Sequence, residues 1–261
     1  MDLGLKGRVA VVSAASKGLG RAIADVLADE GASVALCARG DAALREACEA
    51  IVRRGGRAHG VVADVAVSGE PARVVAEAAR VCEPVDIVVT NSGGPRSGAF
   101  ELLTDDDWDA AVRTLLTSAV GFARAALPSM RARKWGRILN VTSIAAVQPV
   151  DGLMLSNSVR SAVQAFAKTL SNEVAASGVT VNNLVPGYTR TDRVVDLANQ
   201  MAAAGETTPD AIAARWEAEI PMRRLGEPRE FAALAAFLAS EHAGYITGQS
   251  IAVDGGWIRG V

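Results

Sequence analysis

Arg8-Val9-Ala10-Val11-Val12-Ser13, running directly into Ala14-Ala15-Ser16-Lys17-Gly18-Leu19-Gly20, is the stretch on which the fold turns. The first six residues are dominated by valine and alanine, a compact apolar run suited to a buried strand. Past the glycines, Gly18 to Glu30 sets Leu19, Ile23, Val26 and Leu27 on one face at helical spacing. A strand entering a helix through such a turn presents the helix's first N–H groups to whatever sits at the turn, which suits an anion such as a phosphate. Glycine there permits a tight turn and close backbone approach.

Working outward, the same alternation repeats. Strand-like runs fall at Ser33–Cys37, Val61–Ala63, Val85–Thr90, Arg137–Thr142, Val179–Leu184 and Ser250–Val253. Helix-period segments lie between them, at about residues 41–54, 69–82, 105–134, 153–177, 192–219 and 227–239. Thr104, three residues before Asp107, reads as a helix-start signal. Repeated β-α-β units predict an α/β protein: a doubly wound, Rossmann-type parallel sheet with helices on both faces. No linker or low-complexity segment divides residues 1–261, so a single domain is expected.

Composition narrows the partners. Net charge is −2, with no basic stripe and no block of like charge, which disfavours nucleic acid and anionic membrane. No apolar run reaches about 18 residues, so a membrane span is not expected. Cys37, Cys48 and Cys82 lack C-x-x-C or Cys/His ligand spacing and read as reduced thilols of a cytoplasmic protein rather than as a metal site.

Open α/β sheets bind ligands at the C-terminal ends of their strands, and polar, glycine-bearing segments collect there. Asp64-Val65 ends the third strand, Asn91-Ser92-Gly93-Gly94 the fourth, and Thr142-Ser143 the fifth. Pro186-Gly187-Tyr188-Thr189-Arg190-Thr191 follows the sixth. On these motifs the chain resembles the short-chain dehydrogenase/reductase family over essentially its whole length. The family's T-G-x-x-x-G-x-G turn corresponds to Ser13–Gly20, its N-N-A-G to Asn91–Gly94, its P-G-x-x-x-T to Pro186–Thr191, and its closing segment to Tyr245–Gln249 with Asp254-Gly255-Gly256. The nearest flavour is the 3-oxoacyl-acyl-carrier-protein reductase type. Ala14 replaces the first glycine of the turn; a negative φ there would make the change cheap.

The resemblance implies a dinucleotide held by Ala14, Ser16, Lys17, Gly18, Leu19, Gly20, Arg39, Asp64, Val65, Asn91, Ser92, Gly93, Pro186, Gly187, Thr189 and Thr191. An acid after the second strand would bond the ribose 2′-hydroxyl of NAD, whereas a base accommodates the 2′-phosphate of NADP. The chain has Arg39 there and Lys17 in the turn, so NADP(H) is expected over NAD(H).

The catalytic end departs from the family. Its serine corresponds to Ser143, but the tyrosine position thirteen residues on is Ser156 and the lysine position is Arg160. Phe166-Ala167-Lys168-Thr169-Leu170 keeps the register, and aligning Trp108 puts Leu115 where the family's helix asparagine stands. Ser156 and Arg160, spaced i, i+4, share one helical face. A serine hydroxyl is too weak an acid to stand in for an activated phenol, and arginine can hold an oxyanion but not give up a proton near neutral pH. The chain has only two tyrosines, Tyr188 and Tyr245. Tyr188 and Asp151 are candidate proton sources, each set against an ordinary packing or surface role.

Three readings follow. The first is an NADP(H)-dependent oxidoreductase acting on a small carbonyl or alcohol, with Ser143, Ser156 and Arg160 at its catalytic centre and an atypical proton relay. The second is a catalytically silent NADP(H)-binding sensor or scaffold. The third is a non-redox lyase or dehydratase using Arg160 as an oxyanion holder. Residues from about 192 to 220 are expected to form a substrate lid with an apolar wall, and the resemblance implies a homotetramer.

Overall fold

The structure, a computed structural model, describes residues 1–205 and 207–260. Seven parallel strands form one sheet in the order β3-β2-β1-β4-β5-β6-β7. They are β1 (Val9–Ser13), β2 (Ser33–Ala38), β3 (Arg57–Val62), β4 (Ile87–Thr90), β5 (Gly136–Val141), β6 (Val179–Pro186) and β7 (Ser250–Val253). The order reverses between β1 and β4, which opens a crevice beyond their C-terminal ends, the position where such sheets take ligands.

The two faces follow from the period of two along each strand. In β1, Ala10 and Val12 pack with α1 (Gly18–Asp29), α2 (Asp41–Arg53) and α9 (Pro228–Ala239), through Ile23, Leu27, Leu44, Ile51 and Phe231. Val9 and Val11 face the other way, toward α3 (Glu70–Cys82), α5 (Ser118–Arg133) and α6 (Met154–Val174), through Val74, Phe122, Met130 and Leu170. Helices on both faces and a single sheet agree with the sequence expectation. A separate small core joins α7 (Asp192–Ala204) and α8 (Pro209–Glu219) around Leu197, Ile212, Trp216 and Ile220.

Three elements differ from their sequence readings. β3 begins at Arg57, four residues before the expected Val61, because it is an edge strand with half its residues exposed and only Val61 buried. The predicted segment 192–219 is two helices rather than one. The expected helix from 105 to 134 contains a π-helical stretch at Val112–Thr117, between α4 (Asp105–Ala111) and α5. Its start is as predicted: Asp107 N donates to Thr104 Oγ1 and Thr104 N donates to Asp107 Oδ2, a reciprocal cap. By length and composition Asp105–Arg133 could cross a membrane, at a mean hydropathy of 1.2 in its best window. In the fold its Phe122, Ala126 and Met130 are instead buried against β1 and β5 neighbours.

A polar ladder, buried at Thr90, Asn140 and Asn183 and exposed at Ser250, crosses β4 to β7 and fixes their register. Thr90 Oγ1 donates to Asn140 Oδ1 at 2.8 Å, Asn140 Nδ2 to Asn183 Oδ1 at 3.2 Å, and Asn183 Nδ2 to Ser250 Oγ at 3.0 Å. These four residues are consecutive register partners across β4, β5, β6 and β7. A one-residue slip of β5 or β6 would break two of these bonds, and a slip of β4 or β7 would break one.

Candidate active site

A cleft of about 680 Å³ lies over the C-terminal ends of the strands, within the size range of small-molecule sites. Its first wall is the turn between β1 and α1, where Ala14, Ser16, Lys17, Gly18 and Leu19 line it. No side chain caps α1 at Lys17, so the helix's first N–H groups are left for a ligand. Ser13 Oγ, buried behind this wall, donates to Asn91 O at 2.6 Å and accepts from Asn91 N at 2.8 Å, tying the end of β1 to that of β4.

Two residues of the turn differ from expectation. Ala14 has φ +47, in the left-handed region, so the negative φ that would have made its methyl cheap is absent. Gly20 does not line the cleft. A Cβ there would stand 2.5 Å from Ala14 O and 2.7 Å from Asn91 Nδ2, so this glycine lets the helix seat against the turn.

The remaining predicted binding residues, Arg39, Asp64, Val65, Asn91, Ser92, Gly93, Pro186, Gly187, Thr189 and Thr191, all line the same cleft. Arg39 is exposed, and among the described residues it has no ion-pair partner. Lys17 pairs with Asp192 at 3.0 Å across the cleft mouth. Gly187 packs so closely on the C-terminal motif that a Cβ would lie 2.6 Å from Asp254 Cα. That contact connects the Pro186-Gly187 and Asp254-Gly255-Gly256 segments physically.

Ser143, Ser156 and Arg160 share the inner end of the cleft. Ser143 Oγ accepts from Ala145 N at 3.1 Å, leaving its own hydrogen free to donate. Ser156 and Arg160 are buried on the sheet-facing side of α6, one turn apart, as the i, i+4 spacing requires. Arg160 Nη1 donates to Val141 O and Thr142 O, both at 2.9 Å, which anchors the guanidinium to the end of β5. Burial, and the nearby charge of Arg193, pull its pKa down from 12.5 to about 10, so it stays cationic at neutral pH.

The structure also sorts the other candidates. Leu115 is buried away from the cleft, beside a second cavity of about 10 Å³ that Arg160, Asn91 and Ser118 also border. Thr114 lines the cleft instead. Both lie in the π-helical stretch, and the alignment on Trp108 singled out Leu115 rather than its neighbour Thr114. Tyr188 lines the cleft but stacks on Trp216 at 4.5 Å between ring centroids, and burial raises its pKa to about 12. It is a packing residue with a poor proton to give. Asp151 sits on an exposed turn outside the cleft lining. Burial raises the thiol pKa of Cys37 to about 12 and also raises those of Cys48 and Cys82. Arg193, which the motif reading passed over, lies on α7 in the cleft lining, with its guanidinium against Gly94.

Comparison with known proteins places this architecture. Residues 13–258 match the sequence family described as enoyl-(acyl carrier protein) reductase. The chain is 33% identical over 254 residues to the 3-oxoacyl-(acyl-carrier-protein) reductase FabG of Vibrio harveyi, covering 97% of this chain and 98% of that one. The solved L-sorbose reductase of Gluconobacter frateurii, complexed with NADPH and L-sorbose, superposes with a TM-score of 0.94 at 33% identity, over 100% of both chains. A 3-oxoacyl-(acyl-carrier-protein) reductase of Agrobacterium tumefaciens with NADP bound gives a TM-score of 0.89 at 31% identity, covering 97% of this chain and 95% of that one.

Proposed function

This chain belongs to the short-chain dehydrogenase/reductase family, and on that footing we propose that it is an NADP(H)-dependent oxidoreductase that reduces a carbonyl or oxidises an alcohol without the usual tyrosine and lysine. One observation carries the reading. The cleft is continuous from the glycine turn and Arg39 at one end to Ser143, Ser156 and Arg160 at the other.

The residues fit the dinucleotide. The uncapped start of α1 suits the pyrophosphate, and Arg39 suits a 2′-phosphate. The Lys17–Asp192 pair is about 70% exposed on both sides. Such a pair is held weakly, which leaves Lys17 able to turn to the same phosphate. NADPH and NADP in the two structural relatives support this preference.

Bound in the cleft, NADPH supplies a hydride to a carbonyl carbon. Ser143 donates its free hydrogen to the carbonyl oxygen and orients it. Arg160, fixed by two strand carbonyls, places a permanent positive charge near the developing oxyanion. With no activated phenol in reach, the proton comes from water. The cavity of about 10 Å³ beside Arg160 and Ser118 has room for about one molecule. Losing a positioned general acid costs about 10²–10⁴-fold in rate, so turnover slower than in the family's usual members is expected.

In the same reading residues 192–220 form the substrate lid, Val194 and Leu197 supply its apolar wall, and residues 1–261 act as one domain. The family resemblance supports a cytoplasmic homotetramer, and Tyr245, 102% exposed in the lone chain, is a residue for one of its contacts.

The test is a fluorescence titration with NADPH and NADH, followed by NADPH consumption on a panel of ketones and aldehydes. Tighter NADPH binding with turnover of at least one class is the expected result. Tight NADPH binding without turnover in any class favours the silent sensor or scaffold and overturns the enzyme reading. Product formed without cofactor consumption favours a lyase.

A further inference from the structure

Past Ser143 the chain makes a tight loop. Ala146 N donates to Ser143 O at 3.0 Å, and Val147 N and Gln148 N both donate to Ile144 O at 2.9 Å. Two side chains of α6 hold this loop: Asn157 Nδ2 donates to Val150 O at 3.0 Å and Ser161 Oγ to Ala146 O at 3.1 Å. A further bond reaches a distant part of the chain. Gln148 Oε1 accepts from Arg259 N at 3.0 Å, across 111 residues.

Residues 254–259 are themselves held in shape. The Asp254 carboxylate accepts from Gly256 N at 2.9 Å and from Ile258 N at 2.8 Å. Gly255 has φ +65, which favours glycine, and a Cβ there would lie 2.7 Å from Ile220 Cγ2. The segment therefore seats directly on the end of α8. Met222 N donates to Gly255 O at 3.2 Å, and Arg259 Nη2 donates to Glu219 O at 3.1 Å. Aromatic packing adds another tie. Tyr188, on the cleft wall, stacks on Trp216 of α8 and meets Trp257 edge-on at 6.1 Å between ring centroids.

α8 in turn backs the lid. Its Ile212 and Trp216 share a core with Leu197, which lines the cleft from α7. A continuous line of contacts thus runs from Leu197 through α8 and residues 254–259 to Gln148 and the loop behind Ser143.

We propose that Gln148 and Arg259 are positioning residues, which join the loop carrying Ser143 to the lid so that the two move together. This rests on the reductase reading above, in which Ser143 orients the carbonyl oxygen. With no tyrosine beside it, more of the rate depends on where the Ser143 hydroxyl stands, and small misplacements of a reacting group are costly. A substrate that draws the lid inward acts on the same loop, so closure and the placement of Ser143 are coupled.

The test is a double-mutant cycle on the ketone turned over fastest by the wild type. Gln148→Leu removes the acceptor and should lower kcat by about 2- to 10-fold, the range for one hydrogen bond, with NADPH affinity unchanged. Gln148→Glu keeps an acceptor and should recover most of that loss. Arg259→Gln, which shortens the reach to Glu219, should lower kcat over the same range. In a Ser143→Ala background, Gln148→Leu should change kcat by less than about twofold, because its effect passes through the missing hydroxyl. An equal loss in both backgrounds would mark a merely structural role and overturn the proposal, as would an unchanged kcat in Gln148→Leu.

Amide hydrogen exchange on the same variants needs no turnover. Gln148→Leu should speed exchange both in residues 144–148 and at the end of α8, residues 216–220. Faster exchange confined to 144–148 overturns the link. If the wild type reduces no carbonyl compound, the reductase reading fails, and the exchange result alone then decides whether loop and lid are joined.

Discussion

Replacing Ala14 by glycine should raise stability, while the same replacement one residue later should lower it. Ala14 sits at φ +47, where an L side chain costs roughly 1–2 kcal/mol. Glycine removes that cost but adds about 0.4–1 kcal/mol of unfolded-chain entropy. The methyl is half-buried, so losing it costs about half of the ~0.8 kcal/mol a buried carbon contributes. These terms leave Ala14→Gly neutral to stabilising, by up to about 1 kcal/mol. Ala15 is 0% exposed and is not among the residues with positive φ. Ala15→Gly therefore gains nothing from strain relief and loses both other terms, about 1–2 kcal/mol. At roughly 2–4 °C per kcal/mol for a domain of this size, a gap of about 1–3 kcal/mol should separate the two variants by about 2–12 °C in Tm. Calorimetry or thermal denaturation followed by circular dichroism measures this, with NADPH titrated alongside to confirm that the turn still binds. A Tm for Ala14→Gly at or below that of Ala15→Gly would refute the left-handed assignment and the strain argument built on it.

The other predictions concern the cleft. Gly20→Ala places a methyl 2.5 Å from Ala14 O, and overpacking of this kind costs about 1–3 kcal/mol. Its Tm should fall and its NADPH Kd should rise, and an unchanged Kd would separate the turn from cofactor binding. Arg39→Asp should narrow or reverse the preference for NADPH over NADH in paired titrations, because an acid repels the 2′-phosphate and suits the 2′-hydroxyl. Tyr188→Phe should keep kcat within about threefold, far from the loss expected of a general acid. Burial pushes the Tyr188 pKa up to about 12, so the kcat–pH profile should show no phenol ionisation below about pH 10. A break near pH 7–9 that vanishes in Tyr188→Phe would restore Tyr188 as the proton source.

Much of this protein was legible in its residues because the signals are local. The valine-rich run before Gly18 and Gly20, the Asn91–Gly94 and Pro186–Thr191 segments, and the helix start at Thr104 each depend on short stretches whose chemistry is set by near neighbours. Their repetition predicted a parallel sheet, and the period of two along β1 follows directly into its two packed faces. The substitutions at Ser156 and Arg160 were likewise a matter of counting along one helix. β3 was shortened in the sequence reading because an edge strand is exposed and so lacks the apolar run that marks a central one.

What the residues settled alone is the list of groups available: cations at positions 17, 39 and 160, a serine at 143, and no tyrosine where the family keeps one. Tertiary structure decided which of them meet and in what state. The sign of φ at Ala14 depends on how the turn seats against nearby Gly20 and against Asn91, 77 residues further along the chain. The replacement of Leu115 by Thr114 in the cleft wall depends on a π-helical turn that no fixed period anticipates. The lowered pKa of Arg160 depends on long-range packing that buries it and brings the charge of Arg193 near it. Propensity and spacing act over a few residues, whereas burial and charge pairing are properties of the assembled chain.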